Sequence, residues 1–281
     1  MVDVFERERV MHGISRRKLT VLRSELVAPR MQRVTLGGAE LEGFVAFGPA
    51  DHVKVFLPDP ADGKIYAPEF VDGRRVIPEG SGEIIVRDYT PYSFRPDAED
   101  GPELDIDFVL HGDGSEQGGP APAWAASAKP GSELVIAGPR GSVLAPVGAA
   151  SAILVADESA LPAAARWLDA FADTPVIGLF AVADAGTASY LASREGSGRE
   201  LRWFTGEDRD AQVAEALRGI EIGEATFVFA AGEANSLIGL RKYLRRELGL
   251  PKDQVNVQGY WKRGVVALDH HASLDPSDPE D

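Results

Sequence analysis

The chain has 281 residues, no cysteine and a formal net charge of −15, with 44% hydrophobic and 26% charged residues. That length allows two domains with cores of their own, and the composition is that of an ordinary globular chain. The lack of cysteine excludes disulfides, thiolate metal sites and Cys-held iron–sulfur clusters, so redox chemistry would need a bound organic cofactor; the negative charge argues against nucleic acid and anionic membrane as partners. No apolar run approaches the ~18 residues of a membrane span, and the start lacks a signal-peptide pattern, so a soluble, cytoplasmic protein is expected, and a monomer is taken as its state.

Residues 1–15 read as a loose leader with His12 in solvent. Strands are predicted at Leu19–Leu22, Met31–Leu36 and Asp51–Leu57. In the last of these, Val53, Val55 and Leu57 alternate with His52, Lys54 and Phe56, so Lys54 lies away from the Val face. Residues 58–82, rich in Pro, Gly and Asp, predict a long loop with at most a short strand. Further strands are predicted at Glu83–Tyr89, Glu103–Leu110 and Glu133–Ala137. Six or seven short strands punctuated by turns suggest an antiparallel barrel.

Within that region Arg87-Asp88-Tyr89-Thr90-Pro91-Tyr92-Ser93-Phe94 places a cation, a phenol and a hydroxyl at a strand end, where Pro91 turns the chain. Taken alone, these residues fit an edge strand with a surface ion pair. They also fit a ligand carrying a phosphate and a flat ring. The Gly-rich stretch from His111 to Gly119 then leads into a helix at Ala121–Ala128, an arrangement that favours a bound anion without matching a nucleotide-binding fingerprint.

Beyond Pro146 the period changes. Strands at Ala152–Ala156, Val176–Val182, Leu201–Phe204, Thr226–Ala231 and Val255–Trp261 alternate with helical stretches, the last helix running to Leu248 and closed by Gly249 and Pro251. Alternation of this kind means a parallel, doubly wound sheet whose ligands sit outside the strand C-terminal ends, here Asp157–Ala160 and Ala231–Glu233. Asp184, after the second of these strands, is either a loop aspartate or a partner for a ribose hydroxyl that would favour NADH. The segment from Val265 carries acids and no Lys or Arg and predicts a disordered tail, with the adjacent His270 and His271 in solvent.

Eight motifs in order resemble the siderophore-interacting proteins, or ferric-siderophore reductases, of the ferredoxin-reductase-like flavoproteins. They are Asp51-His52-Val53-Lys54, Arg87-x-Tyr89-Thr90, Leu104–Gly112, Gly119-Pro120-Ala121-x-x-Trp124-Ala125, Ala137-Gly138-Pro139-x-Gly141-Ser142, Asp157–Pro162, Ala231–Ala234 and Tyr260–Gly264. The resemblance, which covers residues 16–264, implies an FAD-binding β-barrel over residues 16–146 and an NAD(P)H-binding α/β domain over 147–264, leaving the acidic, disordered tail over 265–281. It implies that Arg87, Tyr89, Thr90 and Pro91 hold the flavin, that Asp107, Phe108, Val109 and His111 approach it, and that Gly119, Ala121, Trp124 and Ala125 cup the pyrophosphate. Asp157, Glu158, Ser159, Ala160, Ala231, Gly232 and Glu233 would face the nicotinamide nucleotide, and Lys54, Arg140, Lys262 and Arg263 the siderophore. Two departures stand out: Tyr92 replaces a usual second Arg, and Pro122 replaces a usual Ser or Thr, each removing a donor to phosphate.

The activity so implied is reduction of iron(III) in a ferric siderophore with electrons from NADH, NADPH or a ferredoxin. Iron(III) suits hard oxygen ligands, and lowering its charge weakens those bonds. The scheme requires no protein acid or base, so no catalytic side chain is nominated. A general flavin or ferric-chelate reductase, and a binding protein without turnover, remain the alternatives.

Overall fold

A computed structural model describes residues 4–71, 73–110, 119–269 and 272–278, which fall into two compact units, Arg9–Leu144 and Met1–Glu8 with Ala145–Asp281. The N-terminal unit carries β1 (Arg9–Met11), β2 (Arg16–Ala28), β3 (Met31–Gly37), β4 (Val53–Leu57), β5 (Glu69–Val71), β6 (Arg74–Val76), β7 (Ile85–Tyr89), β8 (Pro91–Arg95), β9 (Glu103–Val109), α1 (Pro120–Ser127), β10 (Glu133–Ala137) and β11 (Gly141–Val143). Its seven-stranded antiparallel sheet has the order β7-β4-β10-β2-β3-β9-β8.

The strands β7 and β8 lie at opposite edges of that sheet, yet Thr90 alone separates them in the chain. One residue cannot span seven strands, so the sheet curls until its edges meet. Tyr89 pairs with Val53 on one edge and Pro91 with Ile106 on the other. Pro91 therefore opens a strand where the sequence suggested a turn. It suits the first position of an edge strand, where no backbone N–H is needed. Leu19, Val21, Val34, Leu36, Val53, Val55, Leu57, Leu104, Ile106 and Phe108 fill the interior.

The C-terminal unit carries β12 (Ser151–Asp157), α2 (Leu161–Ala170), β13 (Val176–Ala181), β14 (Arg199–Phe204), α3 (Arg209–Arg218), β15 (Thr226–Glu233), α4 (Ala234–Lys242) and β16 (Val255–Trp261). All five strands are parallel in the order β14-β13-β12-β15-β16. The chain starts at the centre, runs outward to β14, then returns to build the other half, which puts the topological switch point between β12 and β15. On one face Ile153, Val155, Val228 and Ala230 pack with Val213, Leu217, Leu237 and Leu240 of α3 and α4. Rings dominate elsewhere in this core: Trp167 of α2 lies 5.1 Å from Phe227 and 5.2 Å from Phe229.

Several expectations need correction. The described part of the leader, residues 4–15, is ordered: β1 pairs with β11, Phe5 is buried 6.4 Å from Phe227, and His12 is half-buried with Nε2 2.8 Å from Ser142 Oγ. Residues 58–82 contain the hairpin β5–β6. The last helix is α-helical only to Lys242 and widens to a π turn over Tyr243–Glu247. Within the described part of the tail, Leu274 and Asp278 are held rather than loose. Leu274 is buried among the α4 residues, and Asp278 pairs with Arg241 and Arg246. Composition reads the acids as solvated, but Arg241 of α4 and Arg246 of the π turn are partners for Asp278. His270 and His271 lie outside the described residues. Among the described residues no helix is long and apolar enough to cross a membrane.

If Leu274 anchors the tail, Leu274→Ala should destabilise the protein by about 2 kcal/mol, near the low end for a buried leucine because a surface-proximal site can relax. Urea denaturation checks this; a loose tail would show no change.

Candidate functional site

In the N-terminal unit, Ile85, Arg87 and Tyr89 stand opposite Leu57, Val55 and Val53 on the interior-facing side of β7. Tyr89 lies 4.4 Å from Phe108, and Phe108 lies 5.6 Å from Trp124 of α1. These three rings thus form a continuous aromatic wall from strand to helix. Burial pushes the Tyr89 hydroxyl well above its usual pKa, against the pull of Arg87, so the phenol stays protonated. Arg87 donates to the Val86 carbonyl at 2.7 Å and makes no ion pair among the described residues. A half-buried guanidinium without a carboxylate, one pleat from an aromatic wall, fits the phosphate and ring of a flavin nucleotide.

Thr90 is buried at the seam, and Pro91 begins β8. Gly119 precedes α1 at φ 87, a conformation that side chains rarely adopt. Pro120 and Pro122 have no N–H, so Gly119 and Ala121 supply the first donors at this helix end. The side chains of Ala121 and Ala125 enter the core, leaving only their backbone for a ligand. Asp107 does not share the face of Phe108. Arg33 holds both its oxygens, at 2.8 and 2.7 Å, so it ties β3 to β9. Val109 follows on Asp107's side of the strand. His111 lies outside the described residues. Tyr92 carries the Arg33 guanidinium 3.8 Å from its ring centre, so a cation does stand at this position, brought from β3.

Lys54 pairs with Asp88 at 2.9 Å while its side chain stays partly exposed. Arg140 is exposed on the turn between β10 and β11.

In the C-terminal unit the switch point is organised by Asp157 at the end of β12. Its Oδ1 accepts from Ser159 N at 2.9 Å, and its Oδ2 from Glu233 N at 2.9 Å and Trp261 Nε1 at 2.7 Å. One carboxylate therefore ties together the ends of β12, β15 and β16. Burial raises the Asp157 pKa; bonds from Ser159 and Trp261 oppose that, and the nearby Glu158 charge adds to it. Gly232, at φ 146, must be glycine: a Cβ would come within 2.6 Å of the Asp157 carboxyl carbon. Glu233 caps α4, accepting from Ser236 N at 2.8 Å, and from Arg263 N at 3.0 Å. Burial opposes its ionisation, but N–H donors from Arg263, Ser236 and Asn235 prevail and hold its pKa below the usual value. Glu158 accepts from the Ala183 N–H, while Ala160 and Ala231 are core. Lys262 begins the tight turn closed by Val265 N at 3.0 Å. Trp261 was not anticipated as a site residue; the signal was an aromatic ending the last parallel strand. Asp184 accepts from Gly186 N at 2.7 Å, which accounts for an aspartate there without a nucleotide.

The family model for the siderophore-interacting FAD-binding domain matches residues 20–143, and that for the siderophore-interacting protein matches residues 149–264. This chain belongs to the siderophore-interacting protein family. Relatives in and around that family include the NADPH-dependent ferric-chelate reductase of Escherichia coli (strain K12), 34% identical over 90% of this chain and 96% of that protein. The ferric vibriobactin reductase ViuB of Vibrio cholerae is 33% identical over 91% and 92%. A siderophore utilization protein from T. fusca superposes with a TM-score of 0.81 at 38% identity, covering 95% of this chain and all of that one. By its match to the FAD-binding family model, the N-terminal unit is an FAD-binding domain.

The Asp157 clasp makes a pH-dependent prediction. Its folded pKa is raised, so its contribution to stability is fullest below the ordinary carboxylate pKa and is lost as pH rises through the raised value. Relative to Asp157→Asn, the wild type should therefore gain stability as pH falls through that window. Urea melts at a series of pH values check it; a constant difference would place the charge in solvent.

Proposed function

We propose that the protein reduces iron(III) in ferric siderophores, with electrons from NADPH and through FAD seated on the Arg87–Tyr89–Trp124 face. The observation that carries this reading is Arg87, a half-buried cation with no carboxylate partner among the described residues, beside the Tyr89–Phe108–Trp124 wall. The names of the E. coli and V. cholerae relatives support it.

Bound FAD supplies the conversion between the electron pair of a hydride and the single electrons that iron(III) takes. The chain's own residues bind and orient. Arg87 would pair with a phosphate, Tyr89 and Trp124 would pack on flat rings, and the Gly119 and Ala121 N–H groups would meet the pyrophosphate. Asp107 drops out of this set because Arg33 engages both its oxygens. In the C-terminal unit the switch point held by Asp157 and Glu233 would receive the nicotinamide nucleotide, with Trp261 added as a flat surface beside it. NADPH is favoured as donor by the relative's name and by the local bond that satisfies Asp184. A ferredoxin is the alternative donor.

The four basic residues do not contribute equally to attraction of an anionic ferric catecholate. The Lys54 charge is neutralised by Asp88, whereas Arg140, Lys262 and Arg263 form no ion pair among the described residues. Only unpaired cations project a field that steers an anion in a molecule of net charge −15.

The test is anaerobic turnover with NADPH, a ferric catecholate and a colorimetric iron(II) trap. Iron(II) should appear only with FAD-loaded protein. Arg140→Ala should raise KM severalfold and flatten its salt dependence over a Debye length of about 8–10 Å, while Lys54→Ala should do much less. Absence of iron(II) above the flavin-free control would reject the reading, and equal effects of the two substitutions would reject the role given to Arg140.

A further inference from the structure

The N-terminal unit contains a cavity of about 350 Å³ whose lining includes His12, Ser15, Arg17, Phe44, Val45 and Pro139. Arg17 reaches it by strand alternation. Arg17, Leu19 and Val21 share one side of β2; the two apolar residues enter the core, and the arginine is left at its end. Its Cζ lies 5.7 Å from the Phe44 ring centre.

What distinguishes Arg17 is its lack of acceptors. Arg33 and Arg95 hold carboxylates, and Arg30 holds the Leu110 carbonyl. Among the described residues the Arg17 side chain makes no hydrogen bond or ion pair, and its Nε is shut off from solvent without a partner. Glu40 acts on it only at a distance, because Glu40 accepts from Lys18 N at 2.5 Å. A half-buried guanidinium with a shielded, unpartnered Nε favours an acceptor supplied from outside the chain.

The cavity wall is built rather than incidental. Ser142 Oγ donates to Asp51 Oδ2 at 2.5 Å, so His12 Nε2 donates to Ser142 Oγ, fixing the imidazole. His12 N donates to the Arg140 carbonyl at 2.8 Å and Gly138 N to the Ser15 carbonyl at 3.2 Å, stitching the two sides together behind the turn that bears Arg140.

We propose that this cavity binds a small oxyanion, a carboxylate or phosphate group, with Arg17 as its principal partner and the Ser15 hydroxyl beside it. Its apolar part, formed by Phe44, Val45 and Pro139, has room for a short carbon stem on that group. The site does not depend on the reductase reading.

The test uses FAD-loaded, full-length protein and isothermal titration calorimetry with inorganic phosphate and with succinate, at ionic strength held constant with sodium chloride. At least one probe should bind saturably to one site, and which one does so identifies phosphate or carboxylate as the group taken. Arg17→Gln should weaken binding roughly ten- to hundredfold, the loss of a charge-assisted contact, with flavin absorbance and melting curve showing a folded protein. Ser15→Glu places a carboxylate of the chain's own at the wall and should abolish binding even if Arg17→Gln does not fold. Saturation by neither probe, or wild-type affinity in either variant, would overturn the proposal.

Discussion

Closure of the N-terminal sheet through Thr90 is the constraint on which the candidate flavin site depends. With β7 and β8 at opposite edges and a single residue between them, the sheet has to roll, and rolling brings Tyr89 of one edge to Phe108 of the strand beside the other. The aromatic wall is then a consequence of topology rather than of local sequence. α1 completes it with Trp124, held by Ala121 and Ala125 in the core. Arg87 stands one pleat from Tyr89 on the same side, so position and charge arrive together.

The C-terminal unit solves a similar problem with one carboxylate. A doubly wound sheet leaves the ends of its two central strands diverging at the switch point. Asp157 bridges them by accepting from Glu233 N, and extends the tie to β16 through Trp261. Shielding a charge there is unfavourable, which the raised pKa records, and four N–H and O–H donors offset it. Gly232 is the steric counterpart of the same clasp.

Much of the fold was legible because its periods are clean. Val53, Val55 and Leu57 alternate and do line the interior, and the strand–helix alternation beyond Pro146 does give five parallel strands. What escaped was set by pairing over long distances. Pro91 reads locally as a breaker, and only the partner strand β9 shows that it opens an edge strand. Arg33 meets Asp107 across 74 residues, and Trp261 meets Asp157 across 104, so neither partner is visible in a window of neighbouring sequence. The tail was misread for the same reason: Asp278 was read without Arg241 and Arg246, more than thirty residues earlier, which bind it. At the candidate site, the Tyr89 and Trp124 motifs join through Phe108 into one aromatic wall with Arg87 one pleat away, whereas the Asp107 carboxylate is tied to Arg33 of β3.

The central claim is that Arg87 and the wall beside it hold FAD, and titration of flavin-free protein with FAD tests it most directly. Replacing Arg87 by Ala removes a charge-assisted contact worth roughly 1.5–3 kcal/mol, so affinity should fall about ten- to a hundredfold while the melting curve of the flavin-free protein is kept. Equal affinity of the wild type and Arg87→Ala would contradict the account and move the flavin to another face of the barrel.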